Sequence, residues 1–142
     1  MIKEGEIAPD FQLTADDGST VTLSALRGKK VVLYFYPKDD TPGCTTEACS
    51  FRDNLSMLTG KGAVVLGVSP QDAKSHSRFK QRYSLTFPLL ADTDHAVAEK
   101  YGVWGKKRMM GREYMGILRT TFVIDEEGKV KKVFANVKPA GH

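Results

Sequence analysis

The chain has 142 residues, 41% of them hydrophobic and 27% charged, with 21 Lys+Arg against 17 Asp+Glu and a formal net charge of +4. That is enough apolar content for one core and enough length for one domain, so a disordered chain is excluded and residues 1–142 are read as a single unit. No apolar run nears the ~18–20 residues of a membrane span, MIKEGEIAPDF lacks the apolar stretch of a secretion signal, and two cysteines cannot frame a stapled fold. A cytoplasmic protein with no membrane partner is expected.

From the N-terminus, Phe11–Thr14 and Thr20–Leu23 flank Ala15–Ser19, whose Asp17-Gly18 step predicts a short hairpin. Val31–Tyr36 is continuously apolar, β-branched or aromatic, the pattern of a strand buried on both faces, and it stops at Pro37. Residues Gly43–Leu58 place Ala48, Phe51, Leu55 and Leu58 on one helical face. Ala63–Val68 repeats the buried-strand pattern, and Asp72–Tyr83 and Asp92–Tyr101 are helical candidates, each opening on an Asp able to cap a first turn. Thr121–Ile124 and Val130–Ala135 around Asp125–Lys129 predict a second hairpin. A βαβ unit followed by an antiparallel hairpin gives an α/β fold with a central mixed sheet flanked by helices.

Basic residues cluster at Lys29-Lys30, Lys106-Lys107-Arg108 and Lys131-Lys132, with acids between them. A nucleic-acid reader needs a continuous positive face, so no nucleic-acid partner is expected. His76, His95 and His142 are scattered without ligand spacing, so no metal site is expected and all three are read as surface residues.

The chemistry concentrates between Tyr36 and Phe51. A buried strand ends, a polar loop follows, and Cys44 falls where the next helix begins, with Cys49 five residues on. A free cysteine is often simply packed, but unpaired amides and the dipole at a helix start favour the nucleophilic thiolate. A terminus contributes only about 0.3–1 kcal/mol, so a strongly stabilised thiolate also needs a cation.

Pro37, Thr41 and Cys44 fit the P-x-x-x-T/S-x-x-C motif of peroxiredoxins, and FYPKDDTPGCTTEACSFRD closely resembles the bacterioferritin-comigratory branch, also called peroxiredoxin Q. APDFQL, GVSPQD, FPLLAD and REYMGILRTTFVID extend the resemblance in order over nearly the whole chain. It implies a thioredoxin-like fold with an N-terminal β-hairpin and thiol-dependent reduction of hydrogen peroxide and organic hydroperoxides, without a cofactor. By the same resemblance Cys44 is the peroxidatic cysteine, Thr41 sets its hydroxyl against the Cys44 sulfur and the peroxide, and Pro37 shields the thiolate. Arg119 supplies the cation, Glu47 orients that arginine, and Cys49 resolves the sulfenic acid to a Cys44–Cys49 disulfide that thioredoxin or a similar dithiol reduces. Glu47 fits equally an ordinary first-turn acid. Many members of the branch are monomers, so a monomer is expected. Members usually run on for another helical segment beyond Lys138-Pro139-Ala140-Gly141-His142, so this chain is either truncated or shorter in its tail, and the C-terminal cover of the sheet stays open.

Two other functions are compatible with this shell. A thioredoxin-type disulfide reductase wants C-x-x-C, whereas this chain has C-x4-C. A non-enzymatic basic binding module would use Trp104, Lys106, Lys107, Arg108, Met109, Met110 and Tyr114.

Overall fold

The computed structural model describes residues 1–135. The tail expectation and His142 lie outside the described residues. The predicted first hairpin forms from β1 (Gln12–Ala15) and β2 (Thr20–Thr22), with Gly18 at φ 85° in its turn. Strand β3 (Lys30–Phe35) leads into α1 (Pro42–Asp53), and α2 (Leu55–Gly60) precedes β4 (Ala63–Ser69). The helix expected over 43–58 is therefore two. The break falls at Asn54, whose Nδ2 donates to Ser50 O and whose amide also turns back onto Ser50 O.

Helix α3 (Ala73–Tyr83) begins as the sequence predicts, with Asp72 accepting from the Ser75 amide at 2.8 Å. It is followed by β5 (Leu89–Ala91) and α4 (Ala96–Lys100). The helix expected from Asp92 is only this single turn, because His95 takes a left-handed conformation at φ 49° just before it. Asp92 still serves that turn, its carboxylate accepting the Val97 and Ala98 amides. An arm that periodicity does not reveal comes next, β6 (Trp104–Met109) paired antiparallel with β7 (Arg112–Ile117). Strands β8 (Thr120–Ile124) and β9 (Val130–Phe134) form the predicted second hairpin.

Among the described residues the main sheet runs β2-β1-β5-β4-β3-β8-β9, with β3, β4 and β5 parallel and the others antiparallel to their neighbours. Alternation along the central strand divides the interior. Val31, Leu33 and Phe35 join Leu66, Val68, Tyr101 and Phe122 on one face. Val32, Tyr34 and Tyr36 join Ala48, Phe51, Phe79 and Phe87 on the other, and Cys44 belongs to this second cluster. Phe51 stacks on Tyr34 with ring centroids 4.6 Å apart. Burial of one such ring contributes about 1.5–3 kcal/mol, which holds α1 to the sheet despite its weak first turn.

His76 is fully buried, not a surface residue: its Nδ1 lies 2.7 Å from Asp39 Oδ2 and its Nε2 lies 3.0 Å from Leu90 O. His95 is half-buried and stacks face to face on Trp104 at 3.9 Å.

Candidate active site

Cys44 is the third residue of α1, at a terminus where Pro42 occupies the first position and Thr41 precedes it in extended conformation. Proline suits that position, since its missing N–H would have had no partner there. The first amides of a helix have no partner within it, so the peptide dipoles at this end favour negative charge. The Cys44 side chain is 1% exposed, closed off by the aromatic cluster above β3 and β4.

Sheet register brings the cation. Phe35 at the end of β3 pairs with Thr120 at the start of β8, so the residue before Thr120 arrives beside the loop after Phe35. That residue is Arg119. Its backbone surroundings are held by Leu118 N donating to Val103 O at 2.7 Å and by Thr120 Oγ1 donating to Leu118 O at 2.9 Å. The guanidinium divides its donors: Nη2 reaches Cys44 Sγ at 3.2 Å and Nη1 reaches Glu47 Oε1 at 2.8 Å.

Glu47 is fully buried in the second turn of α1, past the first turn where an acid would oppose the dipole, and its Oε1 accepts from Arg119. Burial pushes its carboxyl above the usual glutamate value, with the neighbouring guanidinium only partly offsetting this. Burial works against the Arg119 charge, yet Cys44 and Glu47 keep that guanidinium above the ordinary arginine value. A half-buried arginine held between a thiol and a fully buried carboxylate is a built cation site.

The remaining candidates fall around this triad. Pro37 is half-buried on the loop. Thr41 also lies on it, but its hydroxyl donates to Lys38 O at 2.9 Å, a contact within the loop rather than with the sulfur. Cys49 is half-buried on the same helix as Cys44, and both cysteines are free thiols. Lys107, read from sequence as part of a basic surface patch, is half-buried on the arm with its stem against Gly116. Burial first and then the Arg119 charge draw its ammonium below the usual lysine value, while Cys44 opposes that shift.

Among the described residues no three His, Cys, Asp or Glu side chains converge as a metal set, and no helix is long and apolar enough to cross a membrane.

Residues 5–133 match the model of the AhpC/TSA family. The chain is 50% identical over 141 residues to Peroxiredoxin Bcp of Bacillus subtilis, covering 99% of this chain and 90% of that one. Among solved structures it is similar to the Xanthomonas campestris bacterioferritin comigratory protein, studied for alkyl peroxide reduction, at 41% identity and TM-score 0.88 over 93% of this chain and 84% of that one. It is also similar to a cysteine-to-serine mutant of Xylella fastidiosa PrxQ, at 34% identity and TM-score 0.94 over 100% and 91% of the two chains.

Proposed function

The chain belongs to the AhpC/TSA family and is a peroxiredoxin, a thiol-dependent peroxidase on a thioredoxin-like fold, and from that premise we propose that Cys44 is the thiolate that attacks the peroxide. The observation that carries this assignment is Arg119 Nη2 at 3.2 Å from Cys44 Sγ, at the N-terminal end of α1. The sulfur lone pair attacks the terminal, hydrogen-bearing oxygen of R–O–O–H, the O–O bond breaks, and a proton passes to the departing R–O oxygen. Water or an alcohol leaves, and Cys44 becomes a sulfenic acid. The Arg119 donors stabilise the charge that develops between sulfur and the two oxygens. Glu47 holds the guanidinium in position, Thr41 contributes a hydroxyl to the peroxide, and Pro37 keeps water off the sulfur.

Resolution follows from Cys49. Its thiol condenses with the sulfenic acid, water leaves, and a Cys44–Cys49 disulfide forms. A thioredoxin-type dithiol then takes over the disulfide by exchange, becoming oxidised as the two cysteines are reduced. A cytoplasmic monomer is the setting we assign, since that compartment keeps thiols reduced.

The test is mass spectrometry after one equivalent of peroxide. Loss of two hydrogens with Cys44 and Cys49 joined in one peptide is the expected result, and Cys44→Ser should abolish peroxide consumption in a thioredoxin-coupled assay. A Cys44→Ser protein that still turns over would move the reaction to another residue.

A further inference from the structure

The loop between β3 and α1 carries Pro37 and Thr41, and it is tied to α3 by polar contacts that peroxide chemistry does not use. Asp39 is 7% exposed. Its Oδ1 accepts from Tyr36 OH at 2.6 Å, and its Oδ2 accepts from Ser75 Oγ at 2.7 Å and lies 2.7 Å from His76 Nδ1. The next residue, Asp40, has a left-handed backbone at φ 58° and accepts from Arg82 Nη1 and Tyr83 OH, each at 2.7 Å. Four residues of α3 therefore grip two consecutive residues of a loop that ends at the reactive helix.

Proton accounting makes the inner tie specific. His76 Nε2 faces Leu90 O, which can only accept, so Nε2 carries a hydrogen. The Nδ1–Oδ2 contact then requires one further proton, carried either by the imidazole or by the carboxyl. In both cases His76 is bonded at both ring nitrogens, and the ring bridges the loop to the backbone of β5. A buried network satisfied at every member has one arrangement and resists small displacements.

We propose that the Asp39–His76 pair is a positioning element for the peroxidase reaction: it fixes the backbone of 37–41 so that Thr41 and Pro37 meet the peroxide at Cys44 in productive geometry. This rests on Cys44 being the peroxide-reactive thiolate. Neither residue touches the reacting atoms. Their effect passes through the loop, and a misplacement of about 1 Å at a reacting centre can cost about 100-fold in rate.

Two substitutions at Asp39 separate positioning from packing. Asp39→Ala removes the acceptor for Tyr36, Ser75 and His76. Asp39→Asn keeps an oxygen for Tyr36 and offers an amide N–H to the Nδ1 of a neutral His76, so the bridge to Leu90 survives. Reduced protein is mixed with hydrogen peroxide in a stopped-flow instrument, and Cys44 alkylation by iodoacetamide, which needs an accessible thiolate but no oriented peroxide, is followed in parallel by mass spectrometry. The expected result is a loss of about 10- to 100-fold in peroxide rate for Asp39→Ala, with alkylation changed less than about 3-fold and Asp39→Asn within about 3-fold of the parent on both readouts. An unchanged peroxide rate in Asp39→Ala overturns the proposal, and so does a parallel loss of peroxide and alkylation rates. If Asp39→Ala does not fold, Ser75→Ala with His76→Gln takes its place, on the same criteria. Cys44→Ser serves as the control: residual turnover there would remove the underlying assignment, not the positioning role.

Discussion

Arg119 Nη2 donates to Cys44 Sγ across 3.2 Å, although 75 residues separate the two in sequence. The second nitrogen of the same guanidinium is occupied by Glu47, so a planar fork is needed to serve both at once. Arg119→Ala is expected to slow single-turnover peroxide reduction by about 100-fold or more. Arg119→Lys should recover only part of that, because one ammonium cannot hold the carboxylate and the thiolate in the same geometry. Stopped-flow rates on reduced protein, with thermal unfolding to show that the fold persists, check this. A normal rate in Arg119→Ala would remove the cation from the site.

Thr41 holds its hydroxyl hydrogen on Lys38 O, and the same oxygen keeps lone pairs that can accept a hydrogen bond. Thr41→Val keeps the shape and loses the hydroxyl. It should lower the peroxide rate at least 10-fold, on the order of one catalytic hydrogen bond, while lost loop bonding costs about 1 kcal/mol of stability. Thr41→Ser should stay near the parent rate. Full activity in Thr41→Val would reduce the residue to a loop brace.

Tyr34 is buried beneath the site with its hydroxyl lacking a hydrogen-bond partner among the described residues. Its ring is in use, stacked on Phe51 and Tyr36, and its OH lies where a Cβ on Gly67 would come within 2.9 Å. An orphaned buried hydroxyl costs about 1–3 kcal/mol. Tyr34→Phe is therefore expected to raise the unfolding midpoint in urea, and Gly67→Ala to lower it by overpacking. A destabilised Tyr34→Phe protein would mean the hydroxyl has a partner after all.

Long apolar runs made β3 and β4 legible, because strands buried on both faces show as continuous Val, Leu, Phe and Tyr, whereas the second hairpin was legible from the polar Asp125–Lys129 turn between its strands. Strand β5 escaped because three residues, Leu89–Ala91, are too few to carry a period. The β6–β7 arm escaped for a different reason: Lys106-Lys107-Arg108 reads as solvated charge, and its turn is Met110-Gly111, with both residues at positive φ. Only the glycine was a signal, since methionine rarely takes that conformation. His76 could have been caught, because it lies three residues before Phe79 on a predicted helix, the spacing of one buried face. Cys44, Thr41 and Pro37 were legible as a local motif. The union of Arg119 with Glu47 and Cys44 is set by the β3–β8 register, which no local pattern encodes.

Two kinds of carboxyl should give opposite pH slopes. Asp92 is buried, and burial holds its pKa above the usual aspartate value, with the Ala98 and Val97 amides offsetting only part of it. A carboxyl raised on folding contributes stability that is fully present below its unfolded value and lost as pH rises through the native one. Asp125 is the reverse: the Lys129 amide, and to a lesser degree that of Glu127, holds it below the usual range, so its contribution is present above the unfolded value and lost in acid. In urea unfolding, the stability deficit of Asp92→Asn should narrow from about pH 4 to pH 7, and that of Asp125→Asn should narrow below about pH 4. A deficit of Asp92→Asn that widens as pH rises would contradict the direction given by burial.

Cys44 and Cys49 lie on one intact helix, which sets a geometric requirement for resolution. On a regular helix of ~1.5 Å rise and ~100° per residue, five residues separate the two Cα atoms by ~8.6 Å and point the side chains apart. A disulfide needs about 4.4–6.8 Å with converging Cβ vectors. At least the first turns of α1 must therefore open before the bond can form. Gly43, Thr45 and Thr46 make those turns weak by propensity. The main resistance is burial: Cys44, Ala48 and Phe51 leave the second core cluster when α1 opens, and the Phe51–Tyr34 stack is lost. The break at Asn54 limits the change, since Leu55 and Leu58 of α2 stay packed on the same cluster without α1. Hydrogen exchange on the disulfide form is expected to show fast amides from about Gly43 to Asp53, with α2 and α3 protected as in the dithiol. Phe51→Ala should weaken the closed state and speed disulfide formation from the sulfenic acid, at a stability cost of about 3–5 kcal/mol. A Cys44–Cys49 disulfide in which α1 keeps its full amide protection would be incompatible with this opening.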